Sequence, residues 1–254
     1  MITLKNEQEL AAMRAAGKLT GETLCYLESQ IAPGITTAEI DALAEQFIIK
    51  HGGIPAFKNY GGFPKSICTS LNEVVVHGIP DSTVLCDGDI ISLDVGVKLD
   101  GFCSDAARTF AVGTISDEAK TLIDTAKQCF FHAVQFAQDG FRIGDISAAV
   151  QKTAEDKGFG VVRELVGHGI GREVHEDPDV PNFGTAGRGI RLRRGMTIAI
   201  EPMITLGTRK VTQSADGWTI RTCDGKLAAH YENTVAITDN EAEILTISPE
   251  ELQR

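Results

Sequence analysis

Basic charge, paired cysteines, aromatics and long apolar runs are all scarce in this chain. Lys and Arg number 24 against 35 Asp and Glu, a formal net charge of −11. A nucleic-acid surface needs the opposite balance, so binding nucleic acid is not the main business of the protein. No stretch approaches the ~18 consecutive apolar residues of a membrane span, so no membrane role is expected. The opening residues 1–7 (MITLKNE) hold no apolar signal segment, which argues against secretion. The six cysteines, Cys25, Cys68, Cys86, Cys103, Cys129 and Cys223, form no C-x-x-C pair and no tight framework. A disulfide scaffold and a thiolate zinc knot are therefore both disfavoured, and free thiols in a cytoplasmic protein are expected. Aromatics make up 6%, with a single tryptophan. P-loop, dinucleotide and nucleophile-elbow motifs are missing as well.

What is present is an ordinary globular composition, 43% hydrophobic over 254 residues, long enough to bury roughly 70–75% of the unfolded surface. It is organised by an internal repeat. Residues 34–43 (GITTAEIDAL) lie over 140–149 (GFRIGDISAA), an offset of 106, and residues 85–94 lie over 192–201, an offset of 107. Between them, Val76-His77-Gly78-Ile79 lies over Gly167-His168-Gly169-Ile170 at an offset of 91. The chain therefore reads as one domain of two pseudo-symmetric halves, about 1–114 and 115–254. The changes of offset place one private loop in each half, within 54–76 and between His168 and Leu192.

Local signals fit two helices followed by strands in each half. Thr36 and Glu39 form a capping box ahead of Ile40, Leu43, Ala44, Phe47 and Ile48 at helical spacing. Ser116 opens another helix, which is expected to run through Leu122, Ala126, Ala133 and Ala137 to a stop at Gly140. An N-terminal helix aligns Leu10, Met13, Gly17, Thr20, Leu24 and Leu27. Strand signals cover 89–98, 102–112, 197–204 and 234–238. The expected fold class is α+β, with helices covering one side of an antiparallel sheet.

Several polar residues stand where surface chemistry does not put them. Asp94 interrupts the apolar strand Ile90-Ile91-Ser92-Leu93-Asp94-Val95, although strand interiors disfavour Asp. The pair Asp100-Gly101 suits a type I′ hairpin turn. That turn sets Asp105 opposite Gly96, and makes Asp94 and Asp105 diagonal neighbours ~7–8 Å apart on one face, able to grip a cation between them. Glu201 interrupts a second apolar strand at the repeat-equivalent of Asp94, and Glu232 opens a fourth. Buried carboxylates persist when paired or bound to metal, so four of them converging by pseudo-symmetry describe an oxygen-rich site for two cations. His77 and His168 sit at equivalent places beside glycines, and His175 lies in the second private loop. His51 and His132 fall on helix patterns without chemical company.

The strings Gly62-Phe63-Pro64-Lys65-Ser66, Asn72-Glu73-Val74-Val75-Val76-His77-Gly78-Ile79-Pro80, Gly167-His168-Gly169-Ile170-Gly171, Glu201-Pro202-Met203 and Tyr231-Glu232-Asn233-Thr234 resemble the type I methionine aminopeptidases over nearly the whole chain. That resemblance implies the pita-bread (creatinase/aminopeptidase) fold around a dinuclear metal site, in a minimal bacterial-style enzyme that removes N-terminal methionine from nascent chains with a small second residue. It implies Asp94, Asp105, His168, Glu201 and Glu232 as ligands of two divalent cations (Co, Fe, Mn, Zn or Ni), with Asp105 and Glu232 bridging. Such a pair lowers the pKa of a shared water. It also implies Glu201 as proton carrier, His175 as donor to the developing oxyanion, and His77 as a contact of the scissile amide. The methionine pocket falls to Tyr60, Phe63, Cys68 and Trp218. Three positions depart from the family pattern. Phe57 stands where many relatives carry cysteine, Val174 replaces an aromatic before His175, and Asn233 replaces a histidine after Glu232.

Two other readings remain open at this level: an Xaa-Pro peptidase of the same fold, and a metal-free pita-bread binding module. A monomer is expected. The locally basic run 188–194 (RGIRLRR) is a candidate for transient ribosome contact.

Overall fold

The computed structural model describes residues 1–248 and 251. The first half opens with α1 (Glu7–Glu28) and α2 (Thr37–Lys50), and the second with α3 (Asp117–Ala133) and α4 (Ile143–Glu155). Asn6 caps α1 and Thr36 caps α2, each in a reciprocal box with a glutamate three residues on, Glu9 and Glu39. Such boxes satisfy amide groups that the first helical turn leaves without partners. The expected α1 stripe, Leu10, Met13, Gly17, Thr20, Leu24 and Leu27, is buried throughout. The helix from Ser116 ends earlier than expected. It stops at Ala133, and a 3-10 turn over Val134–Phe136 tightens the chain before Gly140.

The first half carries the strands β1 (Ile54–Pro55), β2 (Cys68–Leu71), β3 (Ile90–Leu99) and β4 (Phe102–Ala111), with β3 pairing to all three others. The second half carries β5 (Val166–Gly169), β6 (Glu176–Pro181), β7 (Thr197–Ile200), β8 (Asn233–Ala236) and β9 (Glu243–Ile244), in the order β9-β8-β7-β5-β6. These ladders are antiparallel. The expected single sheet is divided, and two three-stranded sheets flank the main pair. One cause is local: the strand expected over 197–204 breaks at Glu201-Pro202, where proline has no N–H to give a ladder, and resumes at Met203–Thr205. The pair of halves is stitched along β4. Thr234 Oγ1 accepts from the Asp105 amide and donates to the Asp105 carbonyl, both at 2.9 Å, and the Glu232 amide donates to the Ala107 carbonyl at 2.9 Å.

The repeat is visible atom by atom. Gly34 and Gly140 take φ of 101° and 95°, Gly52 and Gly158 take 83° and 82°, and Gly88 and Gly195 take 97° and 87°. These are left-handed conformations that only glycine adopts cheaply. The amide of Gly34 donates to Leu85 and that of Gly140 to Leu192, at 2.8 and 3.1 Å. The bridge Thr36–Val84 has its counterpart in Arg142–Arg191. Each half also packs its own core. Leu19, Ile40 and Ile48 meet Ile91, Leu93 and Val95 in the first, and Leu122, Phe130 and Ile146 meet Ile198, Ile200 and Val235 in the second.

The basic run 188–194 is exposed apart from Leu192. Arg194 is already paired, with Asp239 at 2.8 Å and Glu7 at 3.2 Å.

Candidate metal centre and peptide pocket

The β3–β4 hairpin turns through Asp100 and Gly101, with φ of 50° and 80°, as the type I′ turn requires. Its register sets Gly96 opposite Asp105 and Asp94 opposite Ala107, so the two acids are diagonal neighbours on one face. Glu201 follows the end of β7 and Glu232 precedes the start of β8. Continuing the β7–β8 register, in which Ile200 pairs with Asn233, sets these two glutamates face to face. His168, on β5, completes the group, with Nε2 3.7 Å from Glu201 Oε1 and 3.9 Å from Asp105 Oδ2.

This cluster is electrostatically unfinished. Asp94 Oδ1, Asp105 Oδ1 and Glu232 Oε1 are buried and have no hydrogen-bond partner. Burial, with Glu232 next in importance, raises the Asp94 and Asp105 carboxyls, and burial raises Glu232 against the pull of Arg108. Glu201 is raised by burial, then by Glu232 and Asp94. Four acids that all resist ionisation in one place have too little positive charge beside them. His168 is already arranged as a ligand. Its Nδ1 lies 2.9 Å from the Gly169 carbonyl, which holds the proton on that nitrogen and leaves the Nε2 lone pair facing the acids. Burial, then His175, lowers its pKa to about 3, so the ring is neutral. The atoms present fit divalent cations. Asp105, His168 and Glu232 can converge on one, and Asp94 and Glu232 on another together with His230.

His230 is the functional candidate that sequence reasoning misses. It stands two residues before Glu232 in an unremarkable Ala-Ala-His-Tyr string, and the bonds of its amide and carbonyl to Thr109 Oγ1 on β4 tie it down beside the acids.

A cavity of about 150 Å³ opens onto the four acids and His168. Tyr60, Phe63, Cys68, His77, His175 and Trp218 all line it, as does Phe57. The Phe63 and Trp218 rings meet edge to face, with centroids 5.2 Å apart. His77 adopts φ of 59°, and burial, followed by His230 and His175, lowers its pKa to about 4. His175 is exposed. Its Nδ1 lies 3.0 Å from the Tyr60 hydroxyl, which leaves Nε2 free to carry a proton towards the cavity. Val174 does not line this cavity; its side chain is buried in the adjoining cluster with Phe57, Phe63 and Ile170. Asn233 is buried too, and its Oδ1 accepts from Arg108 at 2.8 Å and from Thr246 at 2.9 Å. It helps to hold the strand rather than the cluster. His51 and His132 bond within and between helices, to the Phe47 carbonyl and Thr153.

Comparison with known proteins gives the family. The sequence pattern of metallopeptidase family M24 matches residues 11–239. A methionine aminopeptidase of Clostridium perfringens is 57% identical over 247 residues, covering 97% of this chain and 99% of the relative. The chain belongs to the methionine aminopeptidases of family M24. The crystal structure of the Rickettsia prowazekii methionine aminopeptidase superposes with a TM-score of 0.96 at 42% identity, covering 97% of this chain and all of that one. An Xaa-Pro dipeptidase from Bacillus anthracis superposes at 0.77 with 24% identity, covering 97% of this chain and 62% of that one. That likeness shows the pita-bread fold alone. As an M24 metallopeptidase the chain is a metal-dependent aminopeptidase, a hydrolase that requires divalent metal. No helix among the described residues is long and apolar enough to cross a membrane.

Proposed function

We propose that this chain is a type I enzyme that hydrolyses the peptide bond after an N-terminal methionine, preferring a small second residue, with both halves acting as one catalytic unit. The observation that carries the reading is the opening of an aromatic and thiol-lined cavity directly onto a buried cluster of four acids and His168. Asp94, Asp105, His168, Glu201 and Glu232 would hold two divalent cations, of Co, Fe, Mn, Zn or Ni type. Such ions polarise a carbonyl and lower the pKa of water, which gives a nucleophile at neutral pH.

The remaining work falls to the protein. Phe57, Phe63, Cys68 and Trp218 surround a flexible thioether with polarisable and apolar surface, contacts that suit methionine. The first private loop supplies three of these residues, so the loop that breaks the symmetry of the repeat also makes the specificity. Glu201 accepts a proton from the attacking water and returns it to the leaving amine. His175, its Nδ1 engaged by Tyr60, directs an Nε2 proton at the developing oxyanion. His77, held on the cavity wall, contacts the scissile amide. The substrate is a peptide or nascent chain in the cytoplasm.

Reconstituting the chelator-treated protein with each metal and following a Met-X-Ser peptide series tests this. Rapid cleavage is expected when X is Gly, Ala or Ser, with a fall of at least ~100-fold for large X. Faster cleavage of Ala-Pro than of Met-Ala-Ser would overturn the methionine assignment, and absence of peptidase activity with every metal would leave only a binding module.

A further inference from the structure

One imidazole beside the acids has no role in the scheme above. His230 is 1% exposed, and its Nε2 has no hydrogen-bond partner among the described residues. That nitrogen lies 3.4 Å from Glu232 Oε2 and 3.7 Å from Glu201 Oε2. Donor atoms of Asp94, His230 and Glu232 all fall within 4.8 Å of one another. These gaps are too long for an N–H···O bond. They are the spacing of donors around a common ion, since two ligands each ~2.1 Å from a cation at a tetrahedral angle stand ~3.4 Å apart. His168 shows the same spacing, 3.7 Å to Glu201 Oε1 and 3.9 Å to Asp105 Oδ2. Each imidazole thus faces its own oxygen of Glu201 and its own further acid. The position of His230 is also fixed, because its amide and carbonyl both bond to Thr109 Oγ1, at 2.9 Å each.

We propose that His230 is a sixth protein ligand of the metal centre, binding through Nε2 the cation on the Asp94–Glu232 side. This rests on the two-cation reading given above. Without His230 that cation would meet carboxylate oxygen alone from the protein, whereas with it both ions receive one imidazole. Nitrogen in the donor set shifts preference away from Mn and towards Co, Ni and Zn.

X-ray absorption of the unaltered protein loaded with zinc tests the proposal without any substitution. Imidazole scattering equal to one histidine per zinc is expected; half a histidine per zinc overturns it. In the same sample labelled with ¹⁵N-histidine, the His230 Nε2 resonance should move to the metal-bound range, and a resonance indifferent to zinc overturns the proposal. Titration calorimetry separates the two sites. His230→Gln should weaken one zinc equivalent at least ~10-fold, and His168→Gln the other. His230→Gln binding both equivalents as tightly as the unaltered protein contradicts the assignment. Uptake of a single equivalent by the unaltered protein refutes the dinuclear reading instead, while the His230 nitrogen shift still decides whether His230 binds it.

Discussion

The ring of Phe57 lies against the backbone of Gly96, so close that a Cβ on Gly96 would come within 2.4 Å of Phe57 Cε1. Gly96 is the residue paired with Asp105 across the hairpin, and Phe57 lines the cavity. One contact therefore sets the pocket wall and the flank of the acid cluster together. Gly96→Ala should push Phe57 into the cavity and lower kcat/KM for Met-Ala-Ser by at least ~10-fold, mainly through KM. Metal content should be retained, because none of the proposed ligands is displaced. Steady-state kinetics with metal analysis checks this, and Phe57→Ala in the Gly96→Ala background should restore part of the loss.

A second device holds Glu232 from behind. Arg108 is buried on β4, and its guanidinium donates to the carbonyls of Ala107 and Glu232, to Asn233 Oδ1 and to the Glu251 carboxylate. It also stacks on Tyr231, 4.2 Å from the ring centroid. Removing one member of so buried a network leaves acceptors unpaired, at a cost of roughly 3–5 kcal/mol. Arg108→Met should lower unfolding stability by about that amount in urea and weaken metal binding as Glu232 shifts. Arg108→Lys should rescue little, since an ammonium cannot reproduce the guanidinium fork.

Much of this was legible in the sequence, and the reason lies in where polar residues were placed. Asp94 and Glu201 stood out because each interrupts an apolar strand, and the Asp100-Gly101 turn fixed the register that joins Asp94 to Asp105. The repeat gave the two halves because positive-φ glycines recur at matched places. His230 was silent for the opposite reason. Nothing in its own string conflicts with an ordinary strand, and its chemistry comes entirely from a pairing across more than a hundred residues with Thr109. The strand break at Glu201 could have been read from Pro202. The role of Asn233 could not, because its partners Arg108 and Thr246 are remote in the chain.

The contact between His175 Nδ1 and the Tyr60 hydroxyl predicts a graded pair of effects. His175→Ala removes the donor proposed for the oxyanion and should cost ~10²–10³ in kcat. Tyr60→Phe keeps the imidazole but releases its tautomer and orientation, so a loss of only ~3–10-fold is expected, with the pocket otherwise filled. Both variants should bind metal as the unaltered protein does. A Tyr60→Phe loss equal to that of His175→Ala would mean that the phenol itself touches the reacting atoms.

Metal removal should change how stability depends on pH. In the metal-free chain burial, followed by Glu232, lifts the Asp94 carboxyl to about 7, and burial lifts Glu232 to about 8. Between the ordinary carboxylate range and those values the folded chain binds more protons than the unfolded one, so stability falls as pH rises. The histidines act in the other direction. Burial holds His168 near 3 and His77 and His230 near 4, so the unfolded chain binds more protons up to its ordinary histidine value of 6.5, and stability rises with pH over that interval. The two effects oppose each other below about 6.5. Above it only the carboxylates remain, and metal-free protein should lose stability steadily from pH 6.5 to about 8. Bound cations take the place of those protons and remove the penalty. Thermal melts in chelator and in excess metal, at pH 6, 7 and 8, should show a gap in Tm that widens with pH. A gap that stays constant would mean that the four acids are not a shared metal-binding group.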